Sequence, residues 1–185
     1  MAEFGSFSKN PQIVFANQEP DEKVILLLRA HLITLVSSAF VILILAGVPL
    51  AYFIFWPELS KILVFLTQIP ASFQILAIGF WYLVLSGLVF WRFLLWYFNV
   101  YILTNKRIVD FDFHGIFFRA VSEAELEKVQ DVTAKTFGAV RTLFNFGDVI
   151  IQTAGEFREF DFLAVPKPDM VSAEISAACR KENAS

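Results

Sequence analysis

The sequence predicts a membrane hairpin of two α-helices followed by a small β-rich domain, in which a bent antiparallel sheet is capped by one C-terminal helix. The first observation is composition: 57% of the 185 residues are hydrophobic and 18% are charged, whereas soluble domains carry about 45–50% apolar and about 25% charged residues. The second is that the apolar excess is concentrated between Leu32 and Phe98. The third is that short β-rich runs and one amphipathic run follow it.

The N-terminal region, residues 1–23, is polar and has no hydrophobic periodicity. We expect a flexible cytoplasmic tail there, with an extended piece at residues 13–15. Pro20 and the acidic residues that follow it suit the first turn of a helix, where a carboxylate opposes the positive end of the helix dipole. A helix is therefore predicted over residues 24–28, continuing past Arg29 and His31.

Two charge-free runs follow, at about residues 32–55 and 72–91. The first has about 24 residues, or about 36 Å of helix, enough to cross a hydrocarbon core of about 30 Å. A secretory signal peptide is excluded because the run and the polar region before it are too long and no cleavage pattern follows. With the connection at 57–70, these runs predict a membrane domain over residues 24–98.

The basic residues near the ends of the spans predict their orientation. They are more numerous before the first span and after the second than in the connection, which holds only Lys61. Because basic residues accumulate on the cytoplasmic side of a membrane, both termini should be cytoplasmic. The flanking basic residues are Lys9, Lys23, Arg29, Arg92, Lys106 and Arg107.

Residues 99–182 predict the cytoplasmic β-rich domain. A hairpin over residues 99–113 is broken at Thr104-Asn105-Lys106, and His114-Gly115 is a turn candidate. Further strands are expected at residues 117–121, 129–137 and 147–153 and around Phe157, Phe160 and Phe162. A loop or short helical turn is expected at residues 138–146. The closing helix starts at Asp169, and its apolar residues Val171, Ile175 and Ala178 recur at helical spacing.

Four patches resemble a known family. They are Arg29-Ala30-His31, Leu103-Thr104-Asn105-Lys106-Arg107, Val129-Gln130-Asp131-Val132 and Phe146-Gly147-Asp148-Val149. With two preceding apolar runs, they resemble the membrane-anchored bacterial pleckstrin-homology-like proteins, the YdbS-like group. The resemblance implies a bacterial cytoplasmic membrane, a seven-stranded, strongly bent sheet closed by the C-terminal helix, and no known reaction.

The titratable residues predict no enzyme, because no convergent set of acids, bases and nucleophiles is present in the sequence. We expect no catalytic residue, no cofactor and no metal site. His31 is interpreted as a polar cap at the cytoplasmic end of the first span, and His114 as a turn residue. Cys179, the single cysteine, lies beside the apolar stripe of the last helix and is interpreted as a buried structural thiol.

The basic residues nearest the membrane exit are the candidate headgroup contacts: Arg92, Lys106 and Arg107. A cation at the membrane surface contributes on the order of 1 kcal/mol of attraction to anionic lipid. The alternative is structural: Asn105 and Lys106 form the hairpin tip while Arg107 begins a strand and pairs with an acid. Residues 99–185 hold ten Lys/Arg and thirteen Asp/Glu, so no nucleic-acid partner is expected.

Three functions remain open from the sequence. The first is a non-enzymatic interaction or scaffold module, anchored in the lipid bilayer, that binds a protein partner or a second copy of itself. The second is a sensor of anionic lipid headgroups or of a small ligand at the membrane surface. The third is an accessory subunit of a membrane transport or secretion assembly.

Overall fold

The computed structural model describes residues 5–15, 17–113, 115, 119–154 and 159–182. The chain forms two compact units. A helical unit comprises Leu35–Leu94, and a β unit comprises the described residues of Met1–Thr34 and Leu95–Ser185.

The β unit contains two antiparallel sheets and a helix. One sheet has five strands in the order β1 to β5: Phe7–Lys9, Val24–Leu28, Val100–Thr104, Arg107–Phe113 and Arg119–Glu125. The other has three strands in the order β6 to β8: Val129–Lys135, Phe146–Thr153 and Glu159–Pro166. A short helix, α3 (Ala139–Leu143), joins β6 to β7, and α4 (Pro168–Glu182) closes the chain. The described residues thus form eight strands in two sheets, whereas the resemblance implied one seven-stranded sheet.

The predicted helix over residues 24–28 is wrong, because this segment is strand β2. It pairs with β3, placing Leu28 opposite Tyr101 and Leu27 opposite Ile102. An apolar run of five residues suits a buried strand as well as a buried helix, and pairing in the sheet decides between them. The acid at Glu22, expected in a first helical turn, precedes the strand instead and enters an ion pair described below.

The N-terminal residues also differ from the flexible tail that was expected. Strand β1 pairs with β2, placing Phe7 opposite Leu28 and Lys9 opposite Leu26. The extended piece expected at residues 13–15 is coil, and Ile13 and Phe15 pack against a small cluster on the five-stranded sheet. The β unit therefore includes residues that were expected in the tail and in the membrane domain.

The main core joins the two sheets to α4. Its largest fully buried side chains include Phe162, Leu26, Leu28 and Ile175. The helical stripe predicted for the last helix is confirmed, since Val171, Ile175 and Ala178 are buried in this core. Cys179 is buried and free, and burial raises the pKa of its thiol. A second cluster of Val24, Ile102 and Val109 is separate from this core.

Two contacts show how closely the three-stranded sheet is packed. Tyr101 in β3 stacks on Phe162 in β8 at 4.4 Å between ring centroids, and burial raises the pKa of Tyr101 to about 12. Gly147 lies inside β7, in agreement with the strand predicted at residues 147–153. A Cβ at Gly147 would lie 2.5 Å from the carbonyl oxygen of Lys135, so only glycine fits.

The helical unit is built from α1 (Ile33–Ile62) and α2 (Ala71–Phe98), with a 3₁₀ turn at Val64–Gln68. Both helices are long and apolar enough to cross a membrane. Helix α1 continues through Pro57 to Ile62, so the connection is shorter than the predicted 57–70. Proline is tolerated in such helices when neighbouring groups satisfy the freed carbonyl.

One such compensation is visible at Pro49. Proline lacks an N–H, so Pro49 cannot bond the carbonyl of Leu45, four residues earlier. The indole N–H of Trp81 in α2 donates to that carbonyl oxygen at 3.0 Å. The neighbouring hydroxyl of Tyr82 donates to Ala46 O, also at 3.0 Å. The two helices are therefore held in register by polar contacts as well as by apolar packing.

Candidate functional site

The tip of the β3–β4 hairpin is tied to the segment before β2. The side-chain oxygen of Asn105 accepts a hydrogen bond from the backbone N–H of Lys23 at 2.7 Å, and the N–H of Asn105 donates to Lys23 O at 3.1 Å. Within the turn, Thr104 Oγ1 accepts from the N–H groups of Lys106 (3.2 Å) and Arg107 (2.9 Å). The predicted break at Thr104-Asn105-Lys106 is therefore confirmed as a hairpin turn.

Arg107, the first residue of β4, is the centre of a polar cluster. Its guanidinium donates two hydrogen bonds of 2.9 Å to the Glu22 carboxylate, through Nε and Nη2. It also donates to Glu123 at 2.6 Å and to the carbonyl of Asn17 at 2.7 Å. The guanidinium carbon lies 5.8 Å from the ring centroid of Phe15. One side chain thus joins the N-terminal segment, the hairpin tip and β5.

Burial makes this cluster electrostatically coupled. The Glu22 side chain is fully buried, and that of Arg107 is 16% exposed. Burial by itself would raise the pKa of Glu22, but the Arg107 hydrogen bond and the N–H of Glu19 lower it below the usual value. The hydrogen bond to Glu22 raises the pKa of Arg107, partly opposed by burial. Both groups are charged at neutral pH, and each would be costly to leave unpaired.

The three predicted headgroup residues lie in different units and have protein partners. Arg92 is in the helical unit, where its guanidinium donates to Ser38 Oγ at 2.7 and 3.1 Å. Lys106 and Arg107 are in the β unit, and Lys106 pairs with Glu19 at 2.7 Å. The structural alternative for the hairpin is thus what the structure contains. Headgroup contact by these residues stays a prediction.

The points where the chain leaves β2 and returns to β3 are held together by side chains that bind backbone carbonyls. Arg29 is 7% exposed and donates to Tyr97 O at 3.0 Å and to Gly5 O at 3.2 Å. The indole N–H of Trp96 donates to Ala30 O at 2.7 Å. Burial lowers the pKa of Arg29. This junction joins the last turn of α2 to the segment that precedes α1.

The sequence predicts a helix that begins at residue 24 and continues past His31, with His31 as a polar cap of the span. In the structure, His31 precedes α1 and caps its first turn. Its Nδ1 accepts a hydrogen bond from the N–H of Ile33, the first helical residue, at 3.2 Å. Its ring stacks on Phe146 in β7 at 5.2 Å between centroids. Burial lowers the pKa of His31, so the neutral imidazole that can accept this bond is favoured.

A second series of polar contacts, from α3 through β7 and β8, also ends at His31. Arg141 in α3 forms an ion pair with Asp148 in β7, and its guanidinium carbon lies 5.8 Å from the Phe146 ring centroid. Asp148 also accepts from the N–H of Ala164 at 2.8 Å. Ala164, whose φ of 51° is left-handed, accepts from the N–H of His31 at 2.7 Å. These contacts fix α3 and β8 against the entry to α1.

The connection from β6 to β7 exposes large apolar side chains. Phe137 is 90% exposed and Leu143 is 79% exposed, and Val140 and Phe144 are also exposed. We call residues 137–144 the apolar segment. The sequence predicts the end of a strand at Phe137 and a loop or short helical turn from residue 138, whereas β6 ends at Lys135. Four large apolar residues with a single charge, Arg141, are a usable signal of an exposed apolar surface.

Among the residues that the structure describes, no group of three or more His, Cys, Asp or Glu is placed to hold a metal ion. His114 and Phe157, and the strand start expected at Phe117, lie outside the described residues.

The comparison with protein families assigns the fold of the β unit, which is called the PH-like domain below. Residues 24–178 match the profile of the bacterial PH domain family. The chain belongs to this family. The match begins at β2 and ends in α4, so it spans both helices as well as the strands on either side of them. PH-like domains are in general interaction modules rather than enzymes.

Among solved structures, this chain is similar to a DUF1696 family protein with a pleckstrin-homology domain from Shewanella loihica PV-4. The two share 16% sequence identity with a TM-score of 0.33, over 45% of this chain and 68% of the other. The search of curated proteins finds no match.

Replacing Arg107 with alanine should strongly destabilise the PH-like domain. The change leaves Glu22 buried without its partner, and breaking a buried pair in this way costs about 3–5 kcal/mol. The midpoint of thermal unfolding of the full chain in mild detergent measures the effect. Lys106→Ala is the matched control, because the partly exposed ion pair of Lys106 with Glu19 contributes little, and its loss should leave the midpoint close to that of the unmodified protein. Equal losses in both variants would contradict the assignment.

Acid should destabilise the domain through Glu22. A carboxyl whose pKa is lowered by folding contributes stability above its unfolded pKa, about 4.5, and loses it as the pH falls through the folded value. The unfolding midpoint should therefore drop as the pH falls below about 4.5. In Glu22→Gln the drop should be shallower, whereas Glu127→Gln, at an exposed position, should keep the full slope. An unchanged slope in Glu22→Gln would refute the role of this carboxylate.

Proposed function

We propose that this protein is a non-enzymatic interaction module that is anchored in the cytoplasmic membrane of a bacterium and displays its PH-like domain at the cytoplasmic face. Two features support an anchor: α1 and α2 are long and apolar enough to span a bilayer, and their large side chains are exposed on both helices. The family supports an interaction role, since PH-like domains are in general non-catalytic.

The observation that carries the proposal is the pairing of β2 with β3. Four residues separate the end of β2 from the start of α1, and one residue separates the end of α2 from the start of β3. Antiparallel neighbours keep these strand ends side by side, with Leu28 opposite Tyr101. A chain that leaves and re-enters one sheet at a single place must cross a bilayer an even number of times. Both ends of the helical pair are therefore on one side, and the basic flanking residues favour the cytoplasmic side.

The surface that we propose for a protein partner is the free edge of β5 (Arg119–Glu125). This strand is at the end of the five-stranded sheet, and its only strand partner among the described residues is β4. Its first three residues, Arg119, Ala120 and Val121, are exposed. An edge strand of seven residues, four of which are exposed, can accept an added strand from a partner or from a second copy. The other end of the sheet, β1, has only three residues.

Cysteine labelling in intact cells tests the anchor. In a Cys179→Ala background, Thr67→Cys in the connection should react with a membrane-impermeant maleimide from outside. Lys128→Cys, at an exposed position of the PH-like domain, should react only after the cells are permeabilised. Labelling of both sites from outside, or of neither, would contradict the proposed topology.

Photo-crosslinking tests the interaction edge. A benzoylphenylalanine at Val121 in β5 should give a discrete crosslinked band in native membranes, with a partner or with a second copy. The same group at Met170, an exposed apolar residue of α4, is the control and should give a weaker band or none. If the Val121 variant gives only uncrosslinked monomer under all conditions, the result would count against an interaction at this edge.

A further inference from the structure

The apolar segment, residues 137–144, is not explained by the fold. Its four large side chains contribute little to the core, with Phe137 90% exposed and Leu143 79% exposed. The single charged residue, Arg141, is neutralised by Asp148. Large contiguous apolar surfaces on a folded domain mark interaction sites. This one is a compact turn with aromatic residues near both of its ends.

The position of the apolar segment within the β unit points to its occupant. Phe146 follows the segment by two residues and stacks on His31 at 5.2 Å. His31 caps α1, and Leu32, which lies between His31 and the first residue of α1, is 52% exposed. Arg141, inside the segment, lies against the same Phe146 ring at 5.8 Å. A continuous chain of contacts therefore connects the segment to the residue at which the chain enters its first membrane helix.

We propose that the apolar segment inserts into the interfacial layer of the same bilayer that α1 and α2 cross, as a further attachment of the PH-like domain. The inference rests on the proposed membrane anchor. Lipid is the occupant because contacts through Phe146 and His31 connect the exposed apolar segment to the start of a span. Phenylalanine and leucine are the side chains that amphipathic segments bury at the boundary between headgroups and acyl chains.

The ion pair between Arg141 and Asp148 fits this role. An unpaired guanidinium in the segment would have to be carried toward the acyl chains or reach back to the headgroups. Because Asp148 holds Arg141 against β7, the apolar side chains enter without an unpaired charge. The inserted segment would fix the orientation of the PH-like domain relative to the membrane plane, in addition to the chain connections to α1 and α2.

Spin labelling of the full chain tests the insertion. Single cysteines in a Cys179→Ala background would carry a nitroxide in vesicles of phosphatidylethanolamine and phosphatidylglycerol at high lipid excess. Leu143→Cys should be several-fold more accessible to oxygen, which concentrates in lipid, than to a water-soluble nickel chelate. Val14→Cys is the matched control: it is 88% exposed and apolar, but its neighbour Phe15 lies beside Arg107 at the opposite end of β2 and β3. It should show the reverse preference.

Leu43→Cys in α1 separates the failure of this inference from the failure of the anchor. If Leu43 reports lipid and Leu143 reports water, the anchor holds and the insertion is overturned. If Leu43 also reports water, the proposed anchor fails as well. Dipolar broadening at Leu143, with access to neither reagent, would overturn lipid insertion in favour of contact between two copies. Adding Phe137→Asp should shift the Leu143 label toward the nickel chelate, since it places a charge in the inserted surface.

Discussion

The pairing of β2 with β3 is the constraint on which the rest of the structure depends. These neighbours in the sheet are separated by residues 29–99, which contain both long helices. Closing a flexible loop of that length would cost conformational entropy. Here the intervening chain is an antiparallel helical pair, held in register by contacts such as Ser38 with Arg92 and Leu45 with Trp81. The pair returns the chain to where it left and so lowers the cost of closing the sheet.

The two ends of the β2–β3 pair are secured by different chemistry. At the hairpin tip, a buried ion pair and main-chain bonds join Glu22, Lys23 and Asn105 to Arg107 and its neighbours. At the helix entry, Arg29 and Trp96 bind backbone carbonyls. At the hairpin tip, charged side chains satisfy one another. At the helix entry, the donors are satisfied by carbonyl groups, because a buried polar group without a partner is costly.

This distribution bears on how the domain would attach to the membrane in which we propose that the chain is anchored. The basic side chains that suggest headgroup binding, Lys106 and Arg107, are engaged by Glu19, Glu22 and Glu123. The apolar segment has no comparable partner in the core. Attraction by charge and insertion of apolar side chains are different ways to hold a domain at a bilayer, and the second uses surface that the fold leaves exposed.

Patterns in the sequence are enough to predict the two long helices, the β3–β4 hairpin and the closing helix. These depend on local signals: charge-free runs of sufficient length, a polar break between β-rich arms, and the helical spacing of Val171, Ile175 and Ala178. It also placed Arg107 among three candidate headgroup contacts and offered a structural alternative, in which Arg107 begins a strand and pairs with an acid. Each of these features is decided within a few residues of the chain, where pattern and propensity are informative.

Three features are visible only in the tertiary structure. Residues 24–28 are a strand, Glu22 is the partner of Arg107, and contacts through Phe146 and His31 connect the apolar segment to the start of α1. The physical reason is distance along the chain. Leu28 meets Tyr101, Glu22 meets Arg107 and His31 meets Phe146. Each pairing joins residues about 70 or more positions apart, and no local pattern specifies which distant strand, acid or ring will fill a position.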